Sequence, residues 1–218
     1  MGLADLVFRR LAPRDDPPET LVLDDGRTVV VRPITPDAKP LIAEAITRVS
    51  PESSRRRFLT VRRQLSEREL DQLTRLDGWH RYALGAVERG PAGVRGVAVA
   101  RFARLADDPR AAEIAILVVD AWQGAGLGRH LLDRLANAAR LRGIERFTGL
   151  VLADNAPMLG MLRRHAPGLA LARDGDQLSI DVPVPESRGG RPSLGTALAS
   201  LFATPATPSR RNFADARA

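Results

Sequence analysis

The residues best placed to do chemistry are Gln123-Gly124-Ala125-Gly126-Leu127-Gly128, with Glu113 a short distance upstream. The hexapeptide follows the apolar run Ile114 to Val119 and precedes a helical pattern from His130 to Leu141. A strand, a glycine-rich turn and a helix start therefore follow one another. Glycines let the backbone approach an anion with no Cβ in the way. The turn and the helix N-terminus offer unpaired N–H groups and the positive end of a dipole. Such a segment is a cradle for a phosphorylated ligand, and its spacing narrows which one. A dinucleotide fingerprint needs G-x-G-x-x-G, but Arg129 stands where the third glycine should fall. A P-loop needs Gly-Lys-Ser/Thr, and this loop has no lysine. What remains is Q-x-x-G-x-G, carried by Gln123, Gly126 and Gly128.

That pattern resembles the pyrophosphate loop of the GNAT N-acetyltransferases, which bind acetyl-CoA. The resemblance runs over roughly residues 28–182. Ala112 to Val118 is similar to the family's fourth strand, and Asp154-Asn155-Ala156-Pro157-Met158 to the start of its later cofactor-side helix. It implies an α/β fold of the α+β kind: a mixed, mostly antiparallel central sheet, splayed between the family's fourth and fifth strands, with helices on both faces. It also implies acetyl-CoA as cosubstrate. The backbone of Ile116 and Val118 would pair with the pantetheine arm, and Gln123, Gly124, Ala125, Gly126, Leu127, Gly128 and Arg129 would cover the pyrophosphate. Asn155 would contact the pantetheine arm; its residue type suits an N-cap equally well.

Transfer of an acetyl group to an amine needs the amine neutral. A lysine ammonium has a reference pKa near ~10.4, so a base is required. Glu113 is the candidate. It stands in an otherwise apolar strand, on the same face as Ala115 and Leu117 by alternation. Partial burial there would raise its affinity for a proton. A strand-edge charge paired with an arginine is the other reading; the resemblance carries the role of base onto Glu113. Many members of the family place a tyrosine on the last helix as general acid. Here Ala156 to His165 contains none, and Tyr82, the only tyrosine, lies in an earlier strand. His165 suits a helix-end cation, and the acid stays unassigned.

A finer resemblance bears on the acceptor. Val31-Arg32-Pro33-Ile34, then Ser50-Pro51-Glu52-Ser53 with Arg57-Phe58, then Leu65-Ser66 to Leu76-Asp77-Gly78, is similar to the catalytic domain of bacterial Pat-type protein-lysine acetyltransferases. A protein lysine is thus the implied acceptor. Pat-type enzymes often carry a fused domain, for which this chain has no room, so a small-molecule amine is the alternative. A non-catalytic acetyl-CoA-binding module is the reading from another class.

Composition bounds the rest. The 218 residues are 44% hydrophobic and 27% charged, ordinary for one globular domain with extensions. No apolar run approaches the ~18 residues of a membrane span, and Met1 to Asp5 does not open a signal peptide. With no cysteine, disulfides, thiolate metal sites and a cysteine nucleophile are excluded, and a reducing, cytoplasmic setting is expected. His80, His130 and His165 are dispersed, so no metal is expected. The net charge is +7, and Lys39 is the only lysine among 33 basic residues. The arginines read as a solvated surface, as attraction for anionic CoA or an acidic partner, or as a nucleic-acid surface. Their dispersal and an aromatic content of 4% speak against the last.

Three segments are expected: an arm over 1–18, an acetyltransferase domain over 19–184, and a disordered tail over 185–218 rich in Ser, Gly, Pro, Arg and Ala. Within the domain, a hairpin is expected at Leu21–Leu23 and Thr28–Val31, and a helix from Pro36 to about Val49. Ser50-Pro51 should start a second helix and the Ser66-x-x-Glu69 capping box a third. Strands follow at Arg81–Glu88, Val94–Arg104, Ile114–Val119 and Phe147–Leu152, then a helix at Ala156–His165. A hairpin around Asp174-Gly175 closes the sheet.

Overall fold

The computed structural model describes residues 16–91, 93–165 and 169–184. The expected tail, and all but the last residues of the expected arm, lie outside that range. Eight strands form one sheet: β1 Glu19–Val22, β2 Thr28–Pro33, β3 Arg81–Gly90, β4 Gly93–Arg104, β5 Ala111–Val118, β6 Arg146–Leu152, β7 Ala170–Asp174 and β8 Gln177–Pro183. Five α-helices accompany them: α1 Lys39–Thr47, α2 Pro51–Phe58, α3 Glu67–Thr74, α4 Leu127–Arg140 and α5 Ala156–His165. The sheet order is β1-β2-β3-β4-β5-β6-β8-β7, and every neighbouring pair is antiparallel except β5 and β6. The parallel pair follows from α4, which carries the chain back across the sheet.

Register divides the sheet into two faces. Tyr82, Phe102 and Ile114 stand side by side, as do Leu84, Ala100 and Ile116. This face packs on α4, whose Leu127, Leu131 and Leu135 recur at helical spacing and are fully buried. The Phe102 ring lies 5.7 Å from Tyr82 and 6.5 Å from Phe147, centroid to centroid. The opposite face carries Ala83 and Val99, covered by Ile34 just after β2, Ile42 of α1 and Leu70 of α3. Helix α1 comes so near β4 that a Cβ on Gly96 would stand 2.9 Å from the Leu41 carbonyl oxygen. Lys39 ties α1 to α3, its ammonium 3.0 Å from Glu67 and 2.7 Å from Asp71. A third cluster, Val151, Leu159, Leu162 and Ile180, seats α5 on β6 and β8.

The helix starts form as their sequences dictate. Ser50 accepts the Ser53 N–H with Pro51 in the first turn. Ser66 and Glu69 close a full capping box. One helix differs from expectation. Pro36–Ala38 is a separate 3₁₀ turn, and α1 begins only at Lys39. Pro40 has no N–H to donate to a helix begun earlier, so the chain tightens before it. Strand β5 starts at Ala111, ahead of the apolar run, because the buried Ala111 and Ala112 pair with Arg146 and Phe147. Asp16, at the end of the expected arm, is fixed to the core. Its carboxylate accepts from the Tyr82 hydroxyl and the Arg134 guanidinium.

Phe102→Ala should destabilise the fold by about 3–5 kcal/mol, as for other buried aromatic truncations. Val94→Ala, at a position 47% exposed, should change it by less than about 0.5 kcal/mol. Urea denaturation midpoints compare the two.

Candidate active site

The site exists because two strands part. β5 and β6 pair only at Ala111–Arg146, Ala112–Phe147 and Glu113–Thr148. Beyond Glu113, β5 keeps its ladder with β4 while β6 pairs with β8. The Val119 N–H donates to Val97 across the β4 side. Backbone groups alternate along a strand, so those of Ile114, Ile116 and Val118 turn into the gap.

A cavity of about 480 Å³ opens along one side of the gap. Ile116, Val118, Gln123, Gly124, Gly126, Gly128, Arg129 and Asn155 line it, with Trp122, Pro157 and Met158. Ala125 and Leu127 alone among the expected cofactor residues do not. Their side chains are buried beneath the loop, so they can offer only backbone. Gly124 and Gly126 adopt φ of 79° and 81°, the left-handed region where a side chain is strained. Gly126 caps α4, whose first helical bond runs from the His130 N–H to the Gly126 carbonyl. The N–H groups of Leu127, Gly128 and Arg129 therefore precede any acceptor within the helix. Gly128 has an ordinary φ and room for a Cβ, with its nearest neighbour 3.7 Å away on Ile116.

Gln123 does not simply lie over the cavity. Its amide donates to the Val118 carbonyl (3.0 Å) and to Ser53 Oγ (3.1 Å). Ser53 belongs to a larger latch. Asp120 accepts from the Ser50 N–H at 2.9 Å, the Ser50 hydroxyl at 2.6 Å and the Ser53 hydroxyl at 2.8 Å. The start of α2 is thereby clamped to the turn that leads into the glycine loop. Burial pushes the Asp120 carboxyl up, but the Ser50 and Ser53 bonds outweigh it and hold it below the usual 3.8. A second brace comes from the β1–β2 hairpin. The Asp24 N–H donates to the Ala125 carbonyl at 3.2 Å. Arg27 donates to the Ala121 carbonyl at 2.9 Å and stacks 4.1 Å over Trp122. The Asp24 carboxylate lies so close to Gly126 that a Cβ there would stand 2.6 Å from it. Sequence reasoning missed Asp24, Asp120 and the second role of the two serines. The only local sign of them was Asp120 lying in the turn between strand and loop.

On the other side of the gap lies a second cavity of about 290 Å³. Glu113, Ala115, Arg57, Phe58, Leu59, Leu150 and Val151 are among its walls. Arg56, Arg57, Ile116, Asn155 and Met158 line both cavities, which thus meet across the gap. Leu59 ends α2 at φ 59°, a left-handed turn for a leucine. Glu113 is exposed, where partial burial was expected, because it borders the open second cavity instead of packing into a core. Asn155 is buried, accepts the Met158 N–H at 3.2 Å and lines both cavities. It therefore caps α5 while bordering the site. Tyr82 is 1% exposed on the α4 face, and burial pushes its hydroxyl far above the ordinary value, with the Asp16 bond adding to it. It reaches neither cavity. The side chain of His165 lies outside the described residues. Among the described residues no three His, Cys, Asp or Glu side chains cluster as metal ligands. No helix there is long and apolar enough to cross a membrane.

A glycine turn at a helix start, beside a strand with one free edge, has the shape and the free N–H groups to take a phosphorylated, extended ligand. Residues 50–166 match the family described as "Acetyltransferase (GNAT) family", and the chain belongs to that family. It is an acyltransferase, and acetyl-CoA is its cosubstrate. An acetyltransferase from Pseudomonas aeruginosa is 31% identical over 136 residues, 62% of this chain and 73% of that protein. Acetyltransferase Pat from Mycolicibacterium smegmatis is 30% identical over 139 residues, 64% of this chain but 41% of Pat. The crystal structure of the GNAT domain of S. lividans PAT superimposes with a TM-score of 0.69 at 31% identity, covering 76% of this chain and 96% of that one.

Asp120→Asn tests the latch. A depressed carboxyl stabilises the fold fully above its unfolded pKa, and that stability is lost as pH falls through the lower folded value. The variant should therefore melt below the parent near pH 7, with the difference closing at pH values below 3.8. Thermal melts across that range read it.

Proposed function

We propose that the chain transfers the acetyl group of acetyl-CoA to a primary amine, that of a protein lysine, by direct attack with Glu113 as general base. The observation that carries this reading is the meeting of two cavities at the gap beside Glu113. One has a phosphate cradle at its far end, and the other holds the carboxylate. The likeness to Pat-type proteins supports a lysine as the acceptor.

Acetyl-CoA supplies an activated thioester. The N–H groups at the start of α4, in the left-handed glycine turn, suit its pyrophosphate. The Ile116 backbone and the Val118 N–H suit an extended arm added alongside β5. The Val118 carbonyl is already engaged by Gln123. Glu113 accepts the proton of the incoming ammonium. The freed lone pair forms the C–N bond at the thioester carbonyl, the C–S bond breaks as the thiolate leaves, and the second proton on the nitrogen passes to that thiolate as the amide forms. Among the described residues no tyrosine lines either cavity. A thiol pKa near ~8.5 lets the thiolate leave without a dedicated acid. The lack of cysteine suits a reducing, cytoplasmic compartment.

Two substitutions test the assignment. Gly128→Asp should abolish acetyl-CoA binding by calorimetry, since it puts a like charge into the cradle at a position with steric room. Gly126→Asp is less clean, because it also displaces Asp24. Glu113→Gln should keep acetyl-CoA binding yet lower kcat/KM at pH 7 by about 10²–10⁴-fold. Raising pH toward the acceptor's own pKa should restore part of the rate. Full activity of Glu113→Gln at pH 7 places the base elsewhere.

A further inference from the structure

Helix α2 presents three arginines in a row, and they differ in what they meet. Arg55 pairs with Asp154 and Arg56 with Glu52. Arg57 has no carboxylate within ion-pair distance among the described residues. It stacks on its neighbour Phe58, 4.9 Å from the ring centroid, and lines the cavity that holds Glu113. Beneath it, Arg101 stands opposite Ala115 in the β4–β5 ladder, where Ala103 stands opposite Glu113. Arg101 and Glu113 are thus diagonal neighbours on one face. Burial, and after it the nearness of Arg101, lower the Arg57 guanidinium to about 10, with Glu113 only partly offsetting them. Arg101 is lowered too, by burial against the pull of Glu113. A desolvated charge ordinarily has a partner. Here two cations share one carboxylate, which the proposed mechanism assigns to the acceptor amine.

We infer that the acceptor carries a carboxylate beside the amine it offers, held by Arg57 with Arg101 behind it, while the amine meets Glu113. The inference rests on the acetyl-transfer reading above. The site complements a zwitterion: Glu113 faces the ammonium and Arg57, with Arg101 behind it, faces the anion. Phe58, Leu59 and Val151 supply apolar walls for the alkyl stem between them. The carboxylate comes either from an acidic residue next to the acceptor lysine or from a free amino acid. A planar guanidinium can hold either as a forked pair.

The test compares acceptors that differ only in this charge. Lysine peptides with Asp or Glu beside the lysine are set against the same peptides with Asn or Gln. Free amino acids are set against their amides. In at least one arm, kcat/KM for the acid should exceed that for the amide by about tenfold or more, the usual worth of a hydrogen bond to a charged group. The arm that shows it identifies the source. Arg57→Gln and Arg101→Gln should bring that ratio toward one, and Arg57→Lys should keep part of it. The calorimetric Kd for acetyl-CoA should move less than about threefold in Arg101→Gln, which lines neither cavity. A ratio near one in the parent for both arms overturns the inference. So does an arginine variant that shifts only the pH profile, for then the pair serves Glu113 alone. If acetyl-CoA binds but nothing turns over, the acetyl-transfer reading fails. Calorimetric binding of the N-acetylated acid peptide against its amide then decides this one: preference for the acid sustains it, and equal binding overturns it.

Discussion

Everything about this site depends on a parallel pairing that stops after three residue pairs. Backbone N–H and C=O groups need partners wherever they leave water. β5 satisfies one edge fully against β4, and the other only as far as Glu113. On its far edge β6 pairs with β8 over seven residue pairs, but on its near edge it meets β5 over only three, so it stays with β8 where the two parallel strands part. The unfilled edge is therefore a direct result of sheet order. Past Glu113, β5 stays with β4 and β6 with β8, so one edge of each strand faces the gap. The carbonyl nearest the loop is met by a side chain, that of Gln123. The edge further in is left for something that arrives as an extended chain.

The glycine loop is held from two directions by parts of the chain remote in sequence. From one side the β1–β2 hairpin lays Asp24 and Arg27 on it. From the other, the serines at the start of α2 bind Asp120 just before it. Left-handed glycines make such a loop easy to distort, since Gly loses more freedom on folding than any other residue. The two braces restrict it without placing a side chain in the cradle itself, apart from the Asp24 carboxylate at its edge. Helix α2 gains a double role. Its first turn fixes the loop, and its last turn carries Arg57 and Phe58 into the second cavity.

What could be read from the sequence was what local chemistry specifies. Ser50-Pro51, Ser66 with Glu69, and the glycines at 124 and 126 announced their turns and caps, because each acts on residues within a turn of itself. The parting of β5 from its parallel neighbour was implied by the family resemblance, and the pairing shows it. Contacts between distant segments were not legible. Ser50 and Asp120 carry no mutual signal in one chain, and Asp24 reads as an ordinary hairpin residue. Proline at position 40 was overlooked as the reason a long helix must begin twice. Alternation put Glu113 on one face with Ala115 but could not give its depth, which depends on what packs over that face.

The near-absence of lysine bears on how such an enzyme treats itself. If the acceptor is a lysine amine, as proposed, each copy of the enzyme is itself a potential acceptor for the others at high local concentration. These 218 residues offer one lysine. Lys39 is held between Glu67 and Asp71, and the hydrogen bond to Asp71, with that to Glu67, raises its affinity for a proton further. A firmly protonated ammonium is no nucleophile. Arginine supplies the positive surface in its place, since its guanidinium stays charged and does not take up acetyl groups. The chain carries its charge in a form its own chemistry leaves untouched.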